Sequence, residues 1–169
     1  MKKLACLFMI VLSVICLAGC SQPRDSDTQL AKDYSEEYEV SPYGNEELNP
    51  SADLKVAFNT ETQLDLKQLS FVIENNSDKE YQYSSAYFEI EVEQAGAWYQ
   101  LKQLNDFTSN EAECIIKPHE QLVYTIDAEH YYGELPAGQY RLIKNFVFFE
   151  NETDWDYDTF NLSCEFTIG

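Results

Sequence analysis

The amino-acid sequence predicts an all-β fold, an antiparallel sandwich of about seven strands over residues 52–169. Three observations carry this. Apolar residues recur at every second position in several separate stretches, the period of a strand with one face in a core and one in water. Those stretches are short and divided by Asn, Asp, Ser and Gly, without the helix-length connections that a parallel sheet requires. A helical period is almost absent, and only 104–112 and 127–133 could hold a helical turn. A small closed barrel is the alternative arrangement of the same strands.

From the N-terminus, Lys2 and Lys3 precede an unbroken apolar run, Leu4 to Cys16, too short to span a bilayer comfortably. The run ends in Leu17-Ala18-Gly19-Cys20, which resembles the lipobox of bacterial lipoproteins. That resemblance implies a signal peptide over 1–19, cut before Cys20 once a diacylglyceryl group is on its sulfur. The protein is then expected at the cell membrane, lipid-anchored on its extracytoplasmic face. At about 0.8 kcal/mol per buried CH₂, one palmitate-like chain holds a protein marginally and two hold it durably. The other reading is an ordinary secretory leader with an incidental cysteine.

Cys20 to Gly169 is enough for one domain with a tether. The chain carries 11 basic and 30 acidic residues, a formal charge of −19, and loss of Lys2 and Lys3 makes the remainder more acidic still. Such a surface repels phosphate, which argues against nucleic acid and against lipid binding beyond the anchor. Of five cysteines only Cys114 and Cys164 lie past Cys20, too few for a disulfide framework. No CxxC, HExxH or histidine cluster suggests a metal or redox centre, and no cofactor is expected.

Residues 20–51 are polar and punctuated by Pro23, Pro42 and Pro50, with eight acids and one base, Lys32, between Asp25 and Glu47. Like charges stretch such a segment, which predicts a disordered acidic tether lifting the domain off the membrane. Tyr34, Tyr38 and Tyr43 are the objection, since they could add a short strand or dock on the domain.

Within the domain, Leu69, Phe71 and Ile73 alternate with polar or outward positions before the turn residues Asn75-Asn76-Ser77-Asp78. Phe88, Ile90 and Val92 alternate with Glu89, Glu91 and Glu93, then Gln94-Ala95-Gly96 turns the chain back through Trp98, Tyr99 and Leu101. Leu122, Tyr124 and Ile126 form the next strand, and Phe160 to Ile168 the last. Between them, Leu135-Pro136-Ala137-Gly138-Gln139-Tyr140-Arg141-Leu142 places a tyrosine two residues after a glycine turn. This has the form of a tyrosine corner, in which the Tyr140 hydroxyl bonds back to upstream backbone.

The chain from about Leu54 to Gly169 resembles the bacterial immunoglobulin-like domain of many lipoproteins of low-GC Gram-positive bacteria. The residues that carry the resemblance are Phe71 to Ser77, Gly96-Ala97-Trp98-Tyr99, Lys117-Pro118-His119-Glu120, Leu135 through Leu142, and Cys164 to Ile168. It implies an immunoglobulin-like sandwich with no defined catalytic activity and no catalytic residues.

Four groups of residues are candidates for chemistry or binding. Asp154, Asp156 and Asp158 alternate as in a calcium loop, with Glu165 eleven residues after Asp154, but Thr159 stands where that loop needs Gly and Glu165 falls far along a strand. Phe148, Phe149, Trp155 and Tyr157 gather near the last hairpin, either as a recognition patch or as a cap on the core. Cys114 and Cys164 both face inward by parity; the immunoglobulin-like order places their strands toward opposite edges of different sheets, which favours two thiols. His119 and His130 sit in turns, with no nucleophile motif to make an enzyme of the chain. The expected role is a membrane-held binding or structural module for an envelope protein or small ligand. The alternative is an accessory or sensory subunit recognising a small ligand or cell-wall fragment for a membrane system.

Overall fold

The computed structural model describes residues 38–44, 48–107, 112–150 and 157–169. These form nine strands: β1 (Leu54–Phe58), β2 (Leu69–Asn75), β3 (Tyr81–Ser84), β4 (Glu89–Gln94), β5 (Ala97–Gln100), β6 (Glu113–Ile116), β7 (Gln121–Ile126), β8 (Gly138–Phe149) and β9 (Tyr157–Ile168). A short helix, α1 (Ala128–Tyr132), follows β7. The smaller sheet has the order β1-β2-β7; the larger has β5-β4-β8-β3-β6, with β9 along the other side of β8. Every pairing between these strands is antiparallel.

The apolar parity of the sequence is the core-facing parity, although parts of the opposite face are buried too, Ser70 of β2 and Glu91 of β4 among them. Leu69, Phe71 and Ile73 of β2, Ile90 and Val92 of β4, Tyr124 and Ile126 of β7, and Leu162 and Phe166 of β9 all enter one core between the sheets. Phe71 meets Phe58 and Phe166 edge-on, while Phe166 stacks on Phe58 and Tyr140. Burying each such ring removes roughly 2–3 kcal/mol of apolar exposure. The β4–β5 turn uses two residues, Ala95 and Gly96, at φ 53° and 83°. Positive φ at both positions suits the twist of a two-residue hairpin, and glycine adopts it without steric cost. The predicted turn after β2 is held by Asn75, whose side-chain amide donates to the carbonyls of Lys79 and Lys117 while its oxygen accepts from the Ser77 backbone and hydroxyl.

Of the two stretches that could hold a helical turn, 127–133 does so. Asp127 caps α1 by accepting from the His130 amide at 2.9 Å. Residues 104–107 form no helix. The strand order differs from expectation in one place. β9 pairs along its whole length with β8, in the same sheet as β6, rather than in the other sheet. Cys114 and Cys164 are free thiols three strands apart. At about 4.8 Å per strand that is roughly 14 Å, twice the ~7 Å Cα limit of a disulfide.

Candidate binding surface

The outward face of the larger sheet is divided in two. One half is covered by the chain itself. Val40 bridges Tyr99 on the open edge of β5, where the Ser41 amide donates to the Trp98 carbonyl at 2.8 Å and the Gln100 amide to the Glu39 carbonyl at 2.9 Å. Farther along, Leu48 bridges Asn161 of β9, and Asn49 exchanges bonds with Ser163. Residues 38–44 and 48–50, assigned to the tether by composition, thus lie on the sandwich. Of the two arrangements weighed for this stretch, docking is the one seen, because sheet edges satisfy its backbone and the face beneath takes its side chains.

That covered half contains an ion pair. Arg141 of β8 lies opposite Glu91 of β4, with Nε and Nη2 at 2.7 and 2.6 Å from Glu91 Oε2. Glu91 is 0% and Arg141 3% exposed. The guanidinium also donates to Ser41 Oγ at 3.1 Å and lies 4.5 Å from the Trp98 ring. Glu91 Oε1 has no hydrogen-bond partner among the described residues. Next to the pair, Glu89 accepts from the hydroxyls of Tyr43 and Tyr87 and from the Gln100 amide. Burial, then the Glu89 charge, pushes the Tyr43 phenol up to about 12. Tyr87 is pushed well above the usual range by burial and its bond to Glu89.

The other half of the face carries no described covering segment. Ile115 of β6, Gln82 of β3, Val147 of β8 and Thr159 of β9 form one row across it. Phe149 and Tyr157 form the next, their ring centres 5.6 Å apart. Tyr157 is 55% and Ile115 46% exposed. Two open grooves run over these rows, of about 420 and 710 Å³, sharing Gln82 and Glu113 in their walls. The second is lined by Asp78, Glu80, Glu113 and Glu150, with Lys79 as its one base. The Lys79 ammonium sits 4.5 Å from the Phe148 ring.

The residues singled out in the sequence divide accordingly. Phe149 and Tyr157 meet on this open half. Phe148 turns inward against Tyr81. Trp98 lies beside Arg141, at the opposite end of β8 from Phe149. Trp155, Asp154, Asp156 and the lipidation candidate Cys20 lie outside the described residues. Asp158 is opposite Phe148 and Glu165 opposite Arg141, so seven residues of extended strand, roughly 23 Å, separate them. Among the described residues, no group of three or more His, Cys, Asp or Glu is placed to hold a metal ion. The Tyr140 hydroxyl donates to the Pro136 carbonyl at 2.7 Å, four residues upstream, which fixes the entry into β8. His119 bonds Asp78 at the surface.

Sequence reasoning missed the Glu91–Arg141 pair, the contribution of Ile115 and Val147, and a buried lysine. Lys144 is 1% exposed, donates to the carbonyls of Ser84 and Tyr87 and to the Tyr124 hydroxyl, and lies 4.5 Å from the Tyr124 ring. The signal for it was present. Tyr140, Leu142, Lys144 and Phe146 share one parity, and the apolar members of that set are core residues.

A family model described as a bacterial Ig-like domain matches residues 48–167, a span that begins at the docked Leu48. Among solved structures, the ASH/PapD-like domain of human CEP192 (PapD-like domain 7) aligns with 79% of this chain and 96% of its own at 14% identity, with a TM-score of 0.27. A likeness that loose carries no functional meaning. No curated protein matches the chain.

Proposed function

This chain belongs to the bacterial Ig-like domain family, and we propose that it is a binding module held at the extracytoplasmic face of the membrane by lipid on Cys20. The family description supports a binding or structural role. The lipobox-like Leu17-Ala18-Gly19-Cys20 supports the anchor. A single structural observation carries the binding role: the exposed Ile115 and Tyr157, with the half-buried Val147 and Phe149 beside them, on a sheet face whose other half the chain covers itself. Exposed aromatic and aliphatic side chains among polar groups are where partners bury area.

Two experiments test the two parts. Fractionation of cells producing the Cys20→Ala chain should move the protein out of the membrane fraction; retention of a processed chain there rules out the anchor. A photo-crosslinking residue placed at Tyr157, compared with one at Lys67 on the far side of the fold, should give a discrete adduct in intact cells from Tyr157 alone. Equal labelling, or none at Tyr157, contradicts a binding role for this face.

A further inference from the structure

We infer that the open half of the larger sheet docks an extended, cationic segment of a partner protein, one that alternates lysine or arginine with large apolar side chains. The inference rests on the binding role proposed above and adds the class of partner. The floor of the groove carries four apolar side chains, Ile115, Val147 and Phe149 with Tyr157 at its end, and Gln82 between the first two. Its walls are acidic. Asp78, Glu80, Glu113 and Glu150 line the larger part against one base, Lys79, already placed over Phe148. A chain lying across the rows would set apolar side chains on the floor and bring the alternate ones within reach of the carboxylates.

Shape and charge select among possible occupants. The grooves are shallow and open, which suits an extended chain better than a small molecule enclosed on most sides. The same sheet already holds extended chain at its edges, where residues 39–41 pair with β5 and residues 48–49 with β9. A second copy would set one acidic wall against another, at like-charge cost. The chain's own residues 21–37 carry Asp25, Asp27, Asp33, Glu36 and Glu37 against Arg24 and Lys32, and so match the walls in sign rather than complementing them. A cationic partner meets the walls with opposite charge, which speeds encounter and penalises acidic competitors.

The test uses the full chain in a neutral detergent and a labelled octapeptide alternating lysine with tyrosine or valine, read by fluorescence anisotropy. An octapeptide with glutamate in place of lysine and one alternating lysine with glycine serve as comparisons. The lysine–tyrosine/valine peptide should bind at least tenfold more tightly than either. Ile115→Ser with Val147→Ser, and separately Glu80→Gln with Glu113→Gln, should each weaken it at least fivefold, and the second pair should also flatten its salt dependence. Both variant pairs should unfold within a few degrees of the parent, which separates lost binding from lost fold. Equal binding of the lysine and glutamate peptides, self-association of the chain that blocks the peptide, or indifference to both variant pairs overturns the inference. A Tyr157 photo-adduct from cells that the cationic peptide fails to displace would overturn the charge assignment alone; no adduct and no peptide binding would remove the binding role with it.

Discussion

Replacing Arg141 with methionine tests whether the docked segment and the sandwich form one unit. The substitution keeps the side chain's length and removes its charge. It leaves the Glu91 carboxylate fully buried, with Oε2 stripped of both bonds and Oε1 already without a partner. An uncompensated buried charge of this kind costs about 3–5 kcal/mol. For a domain of this size the loss corresponds to a fall in melting temperature of roughly 10–15 °C. The cost should vanish when the carboxylate leaves too: Glu91→Leu with Arg141→Met should lie within about 1.5 kcal/mol of the parent, since a buried pair is often replaceable by apolar residues. Urea unfolding of the parent, both single variants and the double variant gives the coupling directly. Hydrogen exchange supplies the local readout. Because Arg141 also holds Ser41 Oγ, the amides of Ser41 and Gln100, which tie the segment to β5, should exchange faster in Arg141→Met. A cost below about 1 kcal/mol, or a double variant no better than the single, would refute the claim that the segment seals this pair from water.

Three further outcomes follow from the geometry. Tyr140→Phe removes the bond to the Pro136 carbonyl and should cost about 1–2 kcal/mol by urea unfolding, with Phe166 stacking retained; no cost would show that the corner is held by packing alone. Burial pushes the Tyr132 phenol up to about 12 from 10.0. The native state then holds a proton that the unfolded chain has released between those values, so stability is full below pH 10 and declines by roughly 2–3 kcal/mol as pH rises to 12. Tyr132→Phe should flatten that decline in urea midpoints measured from pH 8 to 11. Burial likewise raises the Cys164 thiol to about 11, so iodoacetamide at pH 8 should label native Cys164 at least tenfold more slowly than the urea-unfolded chain. Mass spectrometry of timed samples reads this, and equal rates would contradict the burial.

Most strands were legible because their signal is local. The alternations at Leu69–Ile73, Phe88–Val92, Leu122–Ile126 and Phe160–Ile168 each mark which face of a strand enters the core, and β2, β7 and β9 contain theirs while β4 begins one residue after Phe88. β1, β3 and β6, of four or five residues, are too short for a period to stand out. β8 was only half legible because Arg141 and Lys144 interrupt an apolar run. The docked segment was obscured for a related reason: its composition is that of a solvated chain, and only its position over β5, β8 and β9 gives its polar groups partners.

By itself the sequence determined the two-sheet class, the turns, and a Tyr140 placed to close a corner, since these depend on residues close together in the chain. The tertiary structure alone decided what the outward face of the larger sheet does. Glu91 and Arg141, fifty residues apart, look like two surface charges until adjacent strands bring them together and a third stretch covers them. Ile115 and Val147 read as isolated apolar residues until β6, β3 and β8 set them beside Phe149 and Tyr157. Alternation tells a chain which side of a strand is wet; which wet sides meet, and which remain open to a partner, depends on strand order, and strand order is set by packing between distant segments.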